Sequence, residues 1–351
     1  MSEQVAATRV VPSRPLVVRA VLRTDVGRVR SENQDFGTVT NAADERGKTP
    51  GGRLLIVADG MGGHRGGATA SRLAGETVKT LYLSAGKDDI PGALREALTQ
   101  ANTKIFNEAQ TNADLRGMGT TTSALVVRGT QAWFAHVGDS RIYFVRGDEI
   151  RQLTEDHSLV ASMVREGLLT AKEAEHHPRR NVLQRSMGVG EQVDIDIVGP
   201  LEVQELDTFV LCSDGLHGLV TPDEIKDIVL KKPIHEAADA LVDRSLERGA
   251  PDNVTVIVAR VERDDYEDEE TMVDKHDRAL FDETVREGGV VPASGRPAGP
   301  EGRPEAGTTP RKASSVVKWT LLFVLVLGAA GAWLFFNQQQ MFQTQKSSSS
   351  R

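Results

Sequence analysis

A single cysteine, Cys212, stands in 351 residues. One thiol cannot close an internal disulfide or build a cysteine-rich zinc site, so a reducing compartment is the simpler setting. Positive charge is short as well: Lys+Arg number 42 against 50 Asp+Glu, a net of -8. That balance argues against a general nucleic-acid binder, whose phosphate contacts need clustered cations. The N-terminal stretch MSEQVAATRVVPSRP lacks a basic flank followed by an apolar core. It does not read as a secretory signal, and the expectation is a chain that starts in the cytoplasm. No internal repeat and no long low-complexity break interrupts residues 16–261, which read as one domain.

Beyond Val261 the composition shifts. Asp264, Asp265, Glu267, Asp268, Glu269 and Glu270 form an acidic run, and Gly288 to Pro310 is rich in Gly, Pro, Ala and Thr. Such composition buries too little apolar surface to offset chain entropy, so residues 262–315 are expected to be a flexible linker. Thr320 to Phe336 (TLLFVLVLGAAGAWLFF) carries no charge. With Val316, Val317 and Trp319 it approaches the roughly 20 residues that cross a bilayer. Residues 316–336 are therefore expected to be a transmembrane helix, with Lys318 snorkelling and Trp319 and Trp333 at the interfaces, and residues 337–351 a short polar tail. Arg311, Lys312 and Lys318 lie before the span and only Lys346 and Arg351 after it, which favours a cytoplasmic large domain.

Within 16–261, Leu54–Ala58 is a continuous apolar run of strand length, while Ala68–Leu83 and Pro91–Ala109 read as helices, the latter with Pro91 at its first position. Between Thr120 and Leu153 the runs TTSALVV, AWFAHV, RIYFV and EIRQL are separated by Arg128-Gly129, Gly138-Asp139 and Gly147-Asp148, the pattern of an antiparallel meander. Thr208–Cys212 and Val254–Val261 add strands; Pro222–Lys231 and Ile234–Arg248 add helices, the second stopped by Gly249. Consecutive strands with segregated helices favour a layered α+β fold.

The aspartates sit where strands end or begin. Asp59 closes LLIVAD, Asp139 closes AWFAHVGD, Asp214 follows TFVLCS, Asp252 precedes NVTVIVARV, and Asp35 ends Arg30-Ser31-Glu32-Asn33-Gln34-Asp35. Singly, Asp-Gly, Asp-Asn and Asp-Ser are ordinary turn pairs. Together, on packed sheets, they would bring carboxylates to one edge, where uncompensated charges raise one another's pKa and resist burial. A divalent cation resolves that conflict, and oxygen ligands without a Cys or His set point to Mg²⁺ or Mn²⁺. The glycine-rich stretch Gly60 to Gly67 is not a dinucleotide-binding turn, because Arg65 breaks the required spacing and Asp59 would repel a pyrophosphate. Cys212 is not a cysteine-phosphatase nucleophile either: Gly218 stands where the phosphate-clamping arginine would be needed. It reads as a small buried strand residue.

The segments RVRSENQD (Arg28–Asp35), VADGMGGH (Val57–His64), GMGTT (Gly117–Thr121), HVGDSRIY (His136–Tyr143), LTEDHS (Leu153–Ser158), SDGL (Ser213–Leu216) and DNVTVIV (Asp252–Val258) resemble, in order, the motif series of PPM (protein phosphatase 2C-type) serine/threonine phosphatases of bacterial type. The resemblance implies a four-layer αββα sandwich of two antiparallel sheets flanked by helices. It implies metal-dependent hydrolysis of phosphoserine and phosphothreonine on proteins, opposing a Ser/Thr kinase in signalling, with two Mn²⁺ or Mg²⁺ ions and a third, weaker site in bacterial members. Asp59 would bridge two ions, the Gly60 carbonyl would ligate one, and Asp214 and Asp252 would complete the other's shell. Asp139, shared with Asp214, is the candidate for the third site; Asp35 would act through water; Arg30 would hold the substrate phosphate. Asn253 would orient Asp252 or the phosphate surroundings. A water between two cations, acidified toward neutrality, would then attack phosphorus in line, with Arg30 offsetting transition-state charge. The expected protein is a monomeric, single-pass protein of the bacterial cell membrane that binds phosphoproteins and no nucleic acid.

Two positions depart from the family pattern. Gln34 replaces the Glu common in animal and plant members, which predicts a weaker hold on one ion. Met61 occupies the place of the usual general-acid histidine, leaving His64, three residues on, as the candidate proton donor. Residues 157–190 span the family's flap, where Arg179, Arg180 and Arg185 either guide an acidic phosphopeptide or simply form a solvated face. His176 and His177 are adjacent on one expected helix, point apart, and read as surface residues. Thr271, beside Glu269 and Glu270, is a candidate phosphorylation site. The competing readings are a catalytically silent phosphoprotein-binding scaffold and a metal-dependent nuclease, the latter disfavoured by the lack of a basic track.

Overall fold

The computed structural model describes residues 15–40, 51–63, 65–85 and 88–264. His64, Thr271, most of the expected linker, the span at 316–336 and the tail at 337–351 lie outside these. Among the described residues, no helix is long and apolar enough to cross a membrane.

In chain order the elements are β1 (Leu16–Asp25), β2 (Asp35–Val39), β3 (Arg53–Met61), α1 (Gly66–Ser84), α2 (Ile90–Thr111), β4 (Gly119–Thr120), β5 (Thr122–Arg128), β6 (Gln131–Val137), β7 (Arg141–Arg146), β8 (Glu149–Gln152), α3 (Leu159–Arg165), α4 (Ala171–Glu175), β9 (Asp196–Glu202), β10 (Thr208–Cys212), α5 (Asp214–His217), α6 (Pro222–Lys231), α7 (Ile234–Glu247) and β11 (Val254–Arg263). They form two antiparallel sheets, one ordered β1-β11-β10-β7-β8, the other β2-β3-β5-β6-β9 with β4 added to β3.

The continuous apolar runs follow from burial on both faces, since successive side chains point to opposite sides of a strand. In β3, Leu55 and Val57 enter the core between the sheets while Leu54 and Ile56 pack under α1 and α2. In β10, Phe209 and Leu211 face the inter-sheet core; Val210 and Cys212 face the helices α6 and α7. Three apolar layers thus separate four layers of secondary structure, helix, sheet, sheet, helix. Cys212 is a fully buried free thiol whose pKa burial pushes up to about 12, so it is inert.

The helices start as their sequences require. Asp89 caps α2 by accepting from the Gly92 amide at 2.9 Å, with Pro91 in the first turn. Thr221 and Glu224 form a reciprocal capping box on α6.

The expected meander is divided. β5 pairs with β6 in one sheet and β7 with β8 in the other, and β6 and β7 are not neighbours. The chain changes sheets at Gly138, whose φ of +111° no side-chain-bearing residue favours and where a Cβ would lie 2.5 Å from Thr121. Alternation of apolar residues records burial but not which sheet a strand joins, so the crossing is invisible in the pattern.

Candidate active site

The crossing matters because it sets Asp139 between the sheets. Antiparallel pairing brings the end of β3 beside the start of β2, with Asp59 opposite Asp35 in register. On the other sheet, the end of β10 delivers Asp214, and the start of β11 follows Asp252. All five aspartates therefore gather at one end of the sandwich. Four of them, Asp59, Asp139, Asp214 and Asp252, line a cavity of about 240 Å³ together with Arg30, Gln34, Gly60, Met61, Gly62, Thr121, Asn181 and Leu183. A larger open hollow of about 460 Å³ is lined by Glu32 and the first turns of α1, with Arg65 and Arg72 offset by Glu32 and Glu76. It holds no converging buried carboxylates, so size alone does not locate the chemistry.

The carboxylates are held without enough compensation. Burial pushes Asp35 up to about 7, against the pull of a hydrogen bond from Ser213 Oγ at 2.7 Å. Burial first, then the neighbouring Asp35, Asp214, Asp139 and Asp252, raises Asp59 well above the usual carboxylate range. Asp139 is raised to about 7 by burial and then by Asp214, and Asp214 to about 6 by burial and then by Asp252. Asp59 and Asp214 are thus close, mutually repelling carboxyls in a buried setting, where two uncompensated negative charges cannot both be held cheaply. Asp35 Oδ1 and Asp214 Oδ1 are buried with no hydrogen-bond partner.

This donor set fits divalent cations. All donors are oxygens, two of them buried and orphaned, and a cation would relieve the mutual repulsion that raises Asp59 and Asp214. Among the described residues no three acidic, His or Cys side chains close around a single point. That is the expected state for Mg²⁺- or Mn²⁺-type sites, which take one or two carboxylates and complete their shells with water and phosphoryl oxygens.

The backbone around these side chains is tied down. Thr120 Oγ1 and the Thr121 amide both donate to the Asp59 carbonyl, at 2.8 and 2.9 Å, and Thr121 Oγ1 accepts from the Asp59 amide at 2.9 Å. Gly60 is obligatory for a different reason: a Cβ there would strike the Gly67 carbonyl at the start of α1 and approach the Gln34 carbonyl. His217 Nε2 donates to the Asp139 carbonyl at 3.0 Å, and burial lowers its pKa to about 3, so the ring is neutral.

Arg30 Nη2 donates to Asp252 Oδ2 at 2.7 Å, a bond that raises the guanidinium's pKa. Its loop is pinned by Asn253, whose Nδ2 donates to the carbonyls of Val26 (2.9 Å) and Glu32 (3.0 Å) and whose Oδ1 accepts from the Gln34 amide (2.8 Å). Asn253 thereby clamps the Arg30 loop, and its backbone amide donates to Asp252 Oδ1 at 2.9 Å. Met61 lines the cavity, and no histidine does among the described residues. Of the flap arginines, Arg179 and Arg180 are exposed, whereas Arg185 is half-buried and paired with Asp196 at 3.0 Å. His176 and His177 lie beyond the end of α4 rather than on a shared helix.

Thr121, Ser213 and His217, which hold the aspartates, were missed as site residues. Each falls inside or beside a quoted motif, but nothing in a lone hydroxyl or imidazole marks it as a brace until its partner's position is known.

Two sheets meeting at a cluster of buried, mutually repelling aspartates, with an arginine fork at the rim, define a metal-dependent hydrolase of phosphate esters. The sequence profile of the Protein phosphatase 2C family matches residues 32–254. The serine/threonine phosphatase Stp of Listeria welshimeri is 40% identical over 247 residues, covering 69% of this chain and 95% of that protein. The protein phosphatase PhpP of Streptococcus pneumoniae is 38% identical over 251 residues, covering 70% and 98%. Among solved structures, the PstP catalytic domain in complex with two manganese ions superposes with a TM-score of 0.61 at 34% identity, covering 70% of this chain and 99% of that one. The chain belongs to the protein phosphatase 2C (PPM) family of serine/threonine phosphatases.

Proposed function

We propose that this chain removes phosphate from phosphoserine and phosphothreonine on proteins, using a water nucleophile and no covalent phosphoenzyme. The observation that carries this reading is the gathering of Asp59, Asp139, Asp214 and Asp252 with Arg30 around one cavity. A silent binding scaffold would have no use for buried carboxylates whose mutual repulsion works against the fold.

When bound, divalent cations supply an acidified water and positive charge facing the phosphoryl oxygens. Asp59, the Gly60 carbonyl, Asp214 and Asp252 would hold a pair of ions, Asp35 would act through water, and Asp139 with Asp214 would serve a third. Manganese is the metal named for the PstP relative, and oxygen donors suit Mn²⁺ and Mg²⁺ alike. Arg30 presents a planar fork to two phosphoryl oxygens, and its charge counters the charge that builds in the transition state. Asn253 fixes the loop from which that fork reaches. Asn181 and Leu183 also line the cavity. Proton delivery to the departing alkoxide falls to His64 or to water, since the described lining holds no histidine.

Opposition to a bacterial Ser/Thr kinase and attachment to the cell membrane through residues 316–336, with the catalytic domain cytoplasmic, complete the proposal. The anchor rests on the uncharged stretch Thr320–Phe336 and its flanking tryptophans.

The full chain should release phosphate from phosphothreonine peptides with Mn²⁺ or Mg²⁺ and not in excess EDTA. Turnover that survives both EDTA and Asp59→Asn refutes the mechanism. For the anchor, the full chain should sediment with membranes and resist extraction by high salt, and a form lacking 316–336 should not; salt-extractable full chain refutes it.

A further inference from the structure

His157 is 3% exposed, and every polar group it carries is engaged. Its backbone N–H donates to the Gly138 carbonyl at 2.7 Å, and the Gly138 N–H donates back to His157 Nδ1 at 3.1 Å. Because Nδ1 accepts, Nε2 carries the ring proton, and it donates to Asp196 Oδ2 at 3.0 Å. The other oxygen of Asp196 accepts from Arg185 Nη1 at 3.0 Å. The His157 carbonyl accepts from the Gln184 amide at 2.7 Å, and the Leu159 amide donates to the Val182 carbonyl at 2.8 Å, so residues 157–159 are zipped onto 182–184.

Both ends of this array face the catalytic cavity. Asp139, next to Gly138, and Asn181 and Leu183, on the segment paired with 157–159, all line it. We propose that His157 is a positioning residue: it fixes the Gly138–Asp139 turn against the 181–185 wall, with Asp196 and Arg185 holding its ring. This rests on the phosphatase reading for the importance of Asp139.

A residue needed only to fill space in this slot would be apolar, since a buried imidazole must have its nitrogens satisfied. Here both nitrogens are satisfied, and one of the two partners is the amide of the residue before Asp139. The turn needs such a brace. Gly138 sits at φ +111°, packed against Thr121, and Thr121 Oγ1 is also bonded to Ser140 Oγ at 2.7 Å and accepts from the Asp59 amide. A shift of Gly138 would therefore move Asp139 and disturb the seat of Asp59 together. The sequence placed His157 in a motif without a task; its role appears only when Gly138 is seen to bond it twice.

The test uses the full-length chain. His157→Asn keeps an acceptor at the Nδ1 position, His157→Gln moves the amide to the Nε2 position and gives up Gly138, and Asp196→Ala removes the ring's holder. Amide hydrogen exchange at Gly138 in the metal-free protein is the readout that does not depend on turnover. Outer partners of metal ligands typically cost 10–100-fold when removed. His157→Gln is accordingly expected to speed Gly138 exchange and lower kcat by about tenfold with KM within about twofold, and His157→Asn to recover most of both. In an Asp139→Asn background, adding His157→Gln should cost less than about twofold more, because the effect runs through Asp139. The proposal is overturned if His157→Gln leaves Gly138 exchange unchanged, or costs as much kcat in the Asp139→Asn background as in the parent. Should the His157 variants fail to fold, Asp196→Ala must show the same effects in weaker form, and their absence overturns the proposal equally. Loss of the phosphatase reading is distinguishable: it appears as metal-independent turnover with Gly138 exchange still sensitive to His157.

Discussion

Arg30 Nη2 lies 2.7 Å from Asp252 Oδ2, so the group proposed to meet the phosphate is bonded to a residue proposed to hold the metal. Neither partner is deeply buried, with side-chain exposures of 52% and 30%. A pair so open to water is weakly held and can be exchanged for phosphate on one side and a cation on the other.

Arg30→Ala should lower kcat/KM for a phosphothreonine peptide by about 10²-fold, the usual loss for a missing transition-state charge donor. It should not raise the Mn²⁺ concentration needed for half-maximal activity, because Asp252 is freed. Steady-state kinetics across a Mn²⁺ titration decides; a requirement for much more Mn²⁺ would mean Arg30 instead orients Asp252 for the metal.

Asp59→Asn should abolish metal-dependent hydrolysis and at the same time stabilise the metal-free protein at pH 8. The substitution removes the carboxyl most burdened by burial and by Asp35, Asp214, Asp139 and Asp252. Thermal melting in EDTA should show a higher Tm than the parent; a lower one would show that Asp59 is needed for packing.

The benefit of divalent metal should grow with pH. Asp35 and Asp139 are raised to about 7 and Asp214 to about 6 from an ordinary 3.8. Groups raised in this way contribute stability that is full below about 3.8 and lost as pH climbs through 6 to 7. His136 and His217, both lowered to about 3 by burial, act in the opposite sense: their contribution is full above 6.5 and lost as pH falls toward 3. The two trends oppose in the metal-free protein. Bound cations keep the carboxylates ionised, so only the histidine slope remains. The Tm gained on adding Mn²⁺ should be small at pH 5 and large at pH 8, as differential scanning fluorimetry can measure; a gain that shrinks with pH would contradict the assignment.

Asn253→Ala should raise KM for phosphopeptides and lower kcat, since three hydrogen bonds then no longer pin the loop that carries Arg30. Stability should fall by about 1–3 kcal/mol for the carbonyls and amide left unpaired. Urea unfolding and peptide kinetics on the same preparation measure both. A loss of stability with unchanged KM and kcat would remove Asn253 from the substrate side.

Several elements were legible because their cause is local. The helix at Pro222–Lys231 carries its own cap, Thr221 with Glu224, and the strand at Thr208–Cys212 is apolar from Phe209 on because both faces are covered. The five aspartates were legible as a set because each ends or begins such a strand. The split of the expected meander at Gly138 was not, since hydrophobic alternation is the same whichever sheet receives the next strand. Nor could the pattern show the partners of Arg185 and Asn253, one paired with Asp196 and the other clamping a loop more than 200 residues earlier in the chain.

Residue types and their order along the chain thus determined the chemistry: oxygen donors, an arginine fork and no usable thiol. Only the folded sandwich decided the working arrangement, which carboxyls face one another and what braces hold them. Those facts depend on contacts between residues distant in sequence, where burial sets the strength of each charge, and no local pattern encodes burial by a partner not yet in place.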